Sequence, residues 1–249
     1  MINISQSLMN AVFEQACPYS IYLRYEKGML TEPSEVMKRG HYFEWCVIGE
    51  SSADMPQLEK LKSGAKSQAE RDIDELADIA KKIIDGYGIN IKNALTQVKI
   101  EGHGLSGILD LVANDIQDNT RNAIYDLKYT ETRYDDRYNG WADIETKVNA
   151  KRQAKHYIYL WHQMHGEWLP YYFLIFGKSG WCRVIKCQLS QESLDLHLTE
   201  IKTLQNILSN WESNGWKPIN ANYEQCRNCP YIAECPYYVS LPTVEKVDV

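Results

Sequence analysis

The chain has 249 residues, 44% hydrophobic and 24% charged, a balance that excludes disordered and fibrous proteins. Its longest apolar runs, such as Tyr171 to Phe176, fall far short of the roughly 20 residues that span a bilayer, and Met1 to Asn10 lacks the basic start and apolar stretch of a signal peptide. A cytoplasmic protein is expected, and its net charge of −6 argues against one that coats nucleic acid through bulk charge while allowing a local basic track.

In chain order, Ser5 to Tyr25 reads as helix around Pro18. A second helix starts near Pro33, a residue suited to a first helical position, and ends at Ile48 before Gly49. Residues 51–64 are loop-like, and residues 66–85 form a charged helix closed by Gly86. Thr96 to Glu101, Gly107 to Ala113 and Asn122 to Tyr129 are rich in β-branched and apolar residues and read as three consecutive antiparallel strands. Asn114, Asp115, Asp118 and Asn119 supply the turn between the last two. A loop over 130–143 carries Arg133, Tyr134, Arg137, Tyr138 and Trp141. Ile144 to His165 is a helix closed by Gly166. Strands follow at Leu169–Phe176 and Trp181–Gln188, joined through Gly177 and Gly180, and Ser190 to Asn214 is a helix closed by Gly215. The fold class is therefore α/β (α+β), a mixed central sheet flanked by helices. One domain over 1–249 is expected, with a helical part (1–90), a sheet and helix (91–190) and a C-terminal helix and tail (191–249).

The sequence Gly107-Ile108-Leu109-Asp110, followed by Asp126-Leu127-Lys128, carries the chemistry. Side chains alternate along a strand, so Asp126 and Lys128 project from one face and Leu127 from the other. A carboxylate flanked by apolar residues, as Asp110 is by Leu109 and Leu111, is costly to bury unless something pairs with it. A hard divalent cation such as Mg²⁺ would do so through oxygen ligands. Such a cation activates water and neutralises a phosphate, and a nearby lysine stabilises developing negative charge. The same D-x-K spacing also describes a surface ion pair on a half-exposed strand.

Seven cysteines are present. In a reducing compartment, clustered cysteines point to metal rather than disulfides. Cys226, Cys229 and Cys235 lie close together in the tail, and Cys17 is a distant fourth. Zinc and an iron–sulfur cluster each accept four thiolates. The three-plus-one arrangement departs from the two close pairs usual for structural zinc. Cys46, Cys182 and Cys187 lack such spacing and read as core or surface thiols.

Taken in order, these features resemble the PD-(D/E)xK nuclease superfamily, in particular its RecB/AddB/Cas4-like iron–sulfur branch. Gly107 with Asp110, and Asp126 with Lys128, are similar to that family's G-x-x-D and D-x-K strands. Gln153-Ala154-Lys155-His156-Tyr157 is similar to its Q-x-x-x-Y helix, whose four-residue spacing puts Gln153 and Tyr157 on one face. The resemblance implies a restriction-endonuclease-like core, Mg²⁺ or Mn²⁺ held by Glu44, Asp110 and Asp126, and catalysis assisted by Lys128. It implies that Gln153 and Tyr157 position the lysine and the DNA. Many relatives place a histidine four residues after a glycine on an early helix. Here Gly40 is followed at that distance by Glu44, an oxygen ligand suited to Mg²⁺ or Mn²⁺, with His41 as a neighbour or phosphate contact. The resemblance further implies a [4Fe–4S] cluster on Cys17, Cys226, Cys229 and Cys235, in preference to Zn²⁺, that pins the first helices to the tail.

Lys147, Lys151, Arg152 and Lys155 form a basic run without an acid on the helix of Gln153, suited to phosphates or to a solvated face. The aromatic and basic loop over 130–143 suits stacking on unpaired bases or ordinary packing. No phosphate-loop motif of a helicase is present. The expected activity is a stand-alone, metal-dependent DNA exonuclease on single-stranded ends. Its partners are DNA and a recombination, replication or CRISPR-adaptation protein. The alternative is a non-catalytic DNA-binding or complex-forming module with a structural Cys₄ metal site.

Overall fold

A computed structural model describes residues 2–14, 16–49, 55–134, 140, 141, 143–218 and 221–240. Arg137 and Tyr138 lie outside these described residues. The chain forms two compact units, Pro33–His197 and Met1–Glu32 with Leu198–Val249. Among the described residues, no helix is long and apolar enough to cross a membrane.

The larger unit is a five-stranded sheet in the order β1 (Leu95–Gly102), β2 (Leu105–Asn114), β3 (Asn122–Thr130), β4 (Tyr171–Gly177), β5 (Trp181–Cys187). All neighbours are antiparallel except β3 and β4. A parallel pair needs a crossover, and α5 (Val148–His165) provides it, ending at Gly166 in the left-handed conformation (φ 75°). Tyr171 to Gly177 is buried at every position, which is why this strand reads as a continuous apolar run.

One face of the sheet packs on α3 (Glu35–Ile48) and α4 (Gln68–Gly86). Ile73, Ala77, Ala80 and Ile84 recur at helical spacing and join Phe43, Leu127, Leu174 and Phe176 in one core. The first turn of α3 is set by Ser34, whose hydroxyl accepts the Met37 N–H at 3.3 Å. The capping serine therefore fixes the start, and Pro33 precedes the helix rather than opening it.

In the smaller unit, the expected single helix from Ser5 to Tyr25 is divided. α1 (Gln6–Phe13) ends before Pro18, which opens α2 (Pro18–Ile21) and leads into a π-turn at Tyr22–Glu26. Proline cannot continue the first helix, because it lacks an N–H and forces the preceding residue out of the helical region. α6 (Gln191–Ser213) carries the chain into this unit, and α7 (Tyr223–Cys226) follows it.

Candidate active site and cysteine cavity

The carboxylate centre forms where β2 releases its neighbours. The β2–β3 ladder runs from Asn114↔Asn122 to Leu111↔Tyr125 and stops. The β1–β2 ladder continues on both sides of Asp110 but skips that residue, between Thr96↔Leu111 and Val98↔Leu109. Extending these registers by one residue sets Gln97, Asp110 and Asp126 in one row across the sheet. Asp110 Oδ2 accepts the Leu127 N–H at 2.9 Å, so a carboxylate takes the place of a ladder carbonyl.

Asp126 is 2% exposed. Its Oδ2 meets the Lys128 ammonium at 2.6 Å, and its Oδ1 accepts from Gln153 Nε2 at 2.5 Å. The buried Tyr171 hydroxyl also lies toward Asp126. Glu44, from α3, accepts from the Gln97 side-chain amide. Burial, with the charge of Asp126 adding repulsion, pushes the Glu44 carboxyl up to about 7, against Lys128 and the Gln97 hydrogen bond. Burial also drives Asp110 well above the carboxylate range, and Asp126 and Glu44 add to it. Burial opposes the charge on Lys128, but Asp126, Asp110 and Glu44 outweigh it and hold the ammonium above its usual value. Three carboxylates thus crowd one cation. Acids crowded together in this way favour a further positive charge between them.

α5 supplies Gln153 and Tyr157. The Tyr157 ring lies where a side chain on Gly107 would be: a Cβ there would stand 2.7 Å from Tyr157 Cε1. The hydroxyl of Tyr157 bonds the Ile108 backbone and Gln153. The G-x-x-D glycine and the Q-x-x-x-Y tyrosine are therefore packing partners. Lys151 pairs with Glu145 at 2.7 Å, Lys155 is half-buried, and His41 is exposed on α3. Arg152 is 8% exposed and donates to Asn149 at 3.2 Å; its side chain turns inward from the basic run. Trp141 packs on Phe173 with ring centres 5.5 Å apart, and the Lys147 ammonium lies 4.8 Å from the Trp141 ring. Gln97 and Tyr171 carry no motif in the sequence. Tyr171 is hidden in an apolar run, and the backbone that places Gln97 has no sequence signature.

In the smaller unit, Cys17, Cys226, Cys229 and Cys235 line one cavity of about 30 Å³, together with Tyr19, Tyr231 and Tyr237. Cys17 caps the start of α2, Cys226 closes α7, and the Cys229 N–H donates to Cys226 O at 3.0 Å. The Tyr231 hydroxyl bonds Met29 O at 3.0 Å and Tyr19 meets Tyr237 edge-on, tying tail to start. All seven cysteines are free thiols. Burial raises Cys235, with the three neighbouring thiols adding to it.

Among the described residues, no three His, Cys, Asp or Glu side chains converge into a formed ion site. The donor sets nonetheless suit two different groups. Oxygen ligands crowded beside a lysine suit a hard divalent cation, and four thiols around one cavity suit a soft metal centre.

A buried carboxylate–lysine pair at an interrupted sheet, with two further acids and a glutamine–tyrosine helix behind it, defines a nuclease that hydrolyses phosphodiester bonds. The chain belongs to the PD-(D/E)XK nuclease superfamily, whose model matches residues 5–236; nucleases of this superfamily generally use Mg²⁺ or Mn²⁺. Its fold is similar to that of a crystal structure of a candidate exonuclease from Eubacterium rectale, with a TM-score of 0.64 at 16% identity, covering 96% of this chain and 90% of that one. No curated protein matches the sequence at a significant level.

Proposed function

We propose that the protein is a Mg²⁺- or Mn²⁺-dependent exonuclease that degrades DNA from single-stranded ends. The observation that carries this reading is the Lys128–Asp126 pair, with Asp110 and Glu44 near enough to help hold the lysine charged. The likeness to a candidate exonuclease supports action at ends. A divalent cation held by the three carboxylates supplies charge neutralisation at the phosphate and a nucleophilic water near neutral pH.

The chain's own residues set the geometry for this. Gln153 and Lys128 together fix both oxygens of Asp126. The Leu127 N–H fixes one oxygen of Asp110, leaving the other for a ligand role. Lys128, kept charged by its three acids, orients the attacking water and stabilises charge developing on the phosphate. Lys151 and Lys155 meet the DNA backbone, Tyr157 braces the centre, and His41 is a phosphate contact at the exposed side of α3. Purified protein with Mn²⁺ is expected to shorten end-labelled single strands, and Asp126→Ala or Lys128→Ala to slow this by about 100-fold or more. Undiminished cleavage by either variant would overturn the reading.

The four cysteines are proposed to hold a [4Fe–4S] cluster whose role is structural, closing a loop from Cys17 to Cys235. Their shared cavity supports this, and the three-plus-one spacing favours iron–sulfur over zinc. Anaerobically purified protein is expected to contain iron and acid-labile sulfide and to absorb visible light. Colourless protein with stoichiometric zinc would reject the cluster.

A further inference from the structure

Gln97 belongs to no motif, yet three observations set it in the carboxylate centre. Its backbone is left-handed (φ 49°) inside an otherwise extended strand. A non-glycine residue adopts that conformation at a cost and keeps it only where its surroundings impose it. It stands opposite Asp110 at the one place where the β1–β2 ladder lapses, while Thr96 and Val98 on either side stay paired. Its side-chain amide donates to Glu44 Oε1, across from β1 to α3.

These observations have a common explanation. An extended Gln97 would complete the ladder opposite Asp110 and follow the alternation of its strand. The left-handed turn breaks that pairing and sends a side chain of the right length and donor chemistry to Glu44. We infer that Gln97 is a positioning residue for Glu44: it occupies Oε1, fixes the direction of the carboxylate and leaves Oε2 for the cation. This rests on the reading of Glu44 as a metal ligand. Ligating carboxylates are commonly held by such outer hydrogen bonds, and losing one weakens metal affinity about 10- to 100-fold.

Conformation and reach can be separated by substitution. Gln97→Gly suits the left-handed backbone and removes the donor. Gln97→Asn also tolerates that backbone and keeps an amide one methylene short of Glu44. Mn²⁺ affinity, measured by titration calorimetry without nucleic acid, is expected to fall about 10- to 100-fold in both. The melting temperature of metal-free Gln97→Gly is expected to hold or rise. Wild-type Mn²⁺ affinity in both variants, with affinity lost in Glu44→Gln, would overturn the inference while leaving the metal site intact. A lowered melting temperature in metal-free Gln97→Gly and Gln97→Asn alike would also overturn it, making Gln97 a packing residue. Unchanged affinity in Glu44→Gln would instead fault the reading of the metal site itself.

Discussion

The carboxylate centre and the cysteine cavity are both candidate metal sites, built on opposite plans. Each acid of the first is held by the protein: Glu44 by Gln97, Asp110 by the Leu127 N–H, Asp126 by Gln153 and Lys128. The centre sits in the middle of a sheet that folds around it. The thiols of the second lie on short turns with local backbone bonds, and among the described residues after α6 the short α7 is the one helix. The first site has its acids held in place by protein groups, with Glu44 and Asp110 raised by burial there. If the second holds a metal as proposed, that metal would contribute to folding itself.

The largest expected effect tests this difference. Cys229→Ser or Cys17→Ser should cost the smaller unit most of its stability, since a structural metal contributes on the order of 10 kcal/mol. Calorimetry should show an early transition lost or shifted down, while Mn²⁺ affinity of the carboxylate centre stays at the wild-type value. A parallel loss of Mn²⁺ affinity would break the comparison. Next in size are Asp126→Asn and Lys128→Ala, expected to slow cleavage about 100- to 1,000-fold. A fully buried pair broken on one side costs about 3–5 kcal/mol. Lys128 keeps 29% of its side chain exposed, so about 2 kcal/mol is expected in denaturant titrations.

Much of this architecture is legible in the sequence. The five strands fall within two residues of their expected places, because alternation and turn chemistry decide them locally. Of the residues named by order and spacing, Asp126 meets Lys128 and Gln153, and Asp110 meets the backbone beside Asp126. What escapes is set by tertiary structure. The left-handed Gln97 sits in a run, Thr96 to Glu101, that reads as an ordinary strand. Arg152 belongs to a basic run, yet turns inward because helical rotation places it one turn before His156, on a buried face of α5. Ser5 to Tyr25 reads as helix around Pro18, whereas Pro18 in fact opens a second helix capped by Cys17.

Gly107→Ala sharpens the contrast at smaller scale. At the cysteine cavity Tyr19 meets the Tyr22 and Tyr237 rings and the Tyr231 hydroxyl donates to Met29 O. Behind the carboxylate centre, Tyr157 is fixed at its hydroxyl by Ile108 and Gln153, so it cannot swing from a new methyl 2.7 Å away. Overpacking of this kind costs about 1–3 kcal/mol. Because Gln153 also holds Asp126, activity is expected to fall along with stability. Gly107→Ala with wild-type cleavage would show that Tyr157 and Gln153 move independently.

The smallest effect is a tilt in pH. Glu44 titrates at about 7 in the folded protein against an ordinary 4.5. The folded state therefore binds this proton more tightly, and the stability that it contributes is fully present below 4.5 and lost as pH rises through 7. Asp110 tilts the same way. His156, held neutral by burial down to about 4 from 6.5, tilts the other way: its unfolded form binds the proton between those values, so stability rises with pH there. The clean readout is a difference. Metal-free Glu44→Gln, which mimics the protonated acid, should match wild type below pH 4.5 and exceed it above pH 7 by about 1 kcal/mol after screening. Saturating Mn²⁺ should reverse the order, because the cation binds only the carboxylate. Cys235, raised above its usual 9.0, adds nothing in this window, and the contribution of His156 cancels in the difference between the two proteins. Equal stability of the two proteins at every pH, with and without Mn²⁺, would mean that Glu44 is not part of the crowded centre.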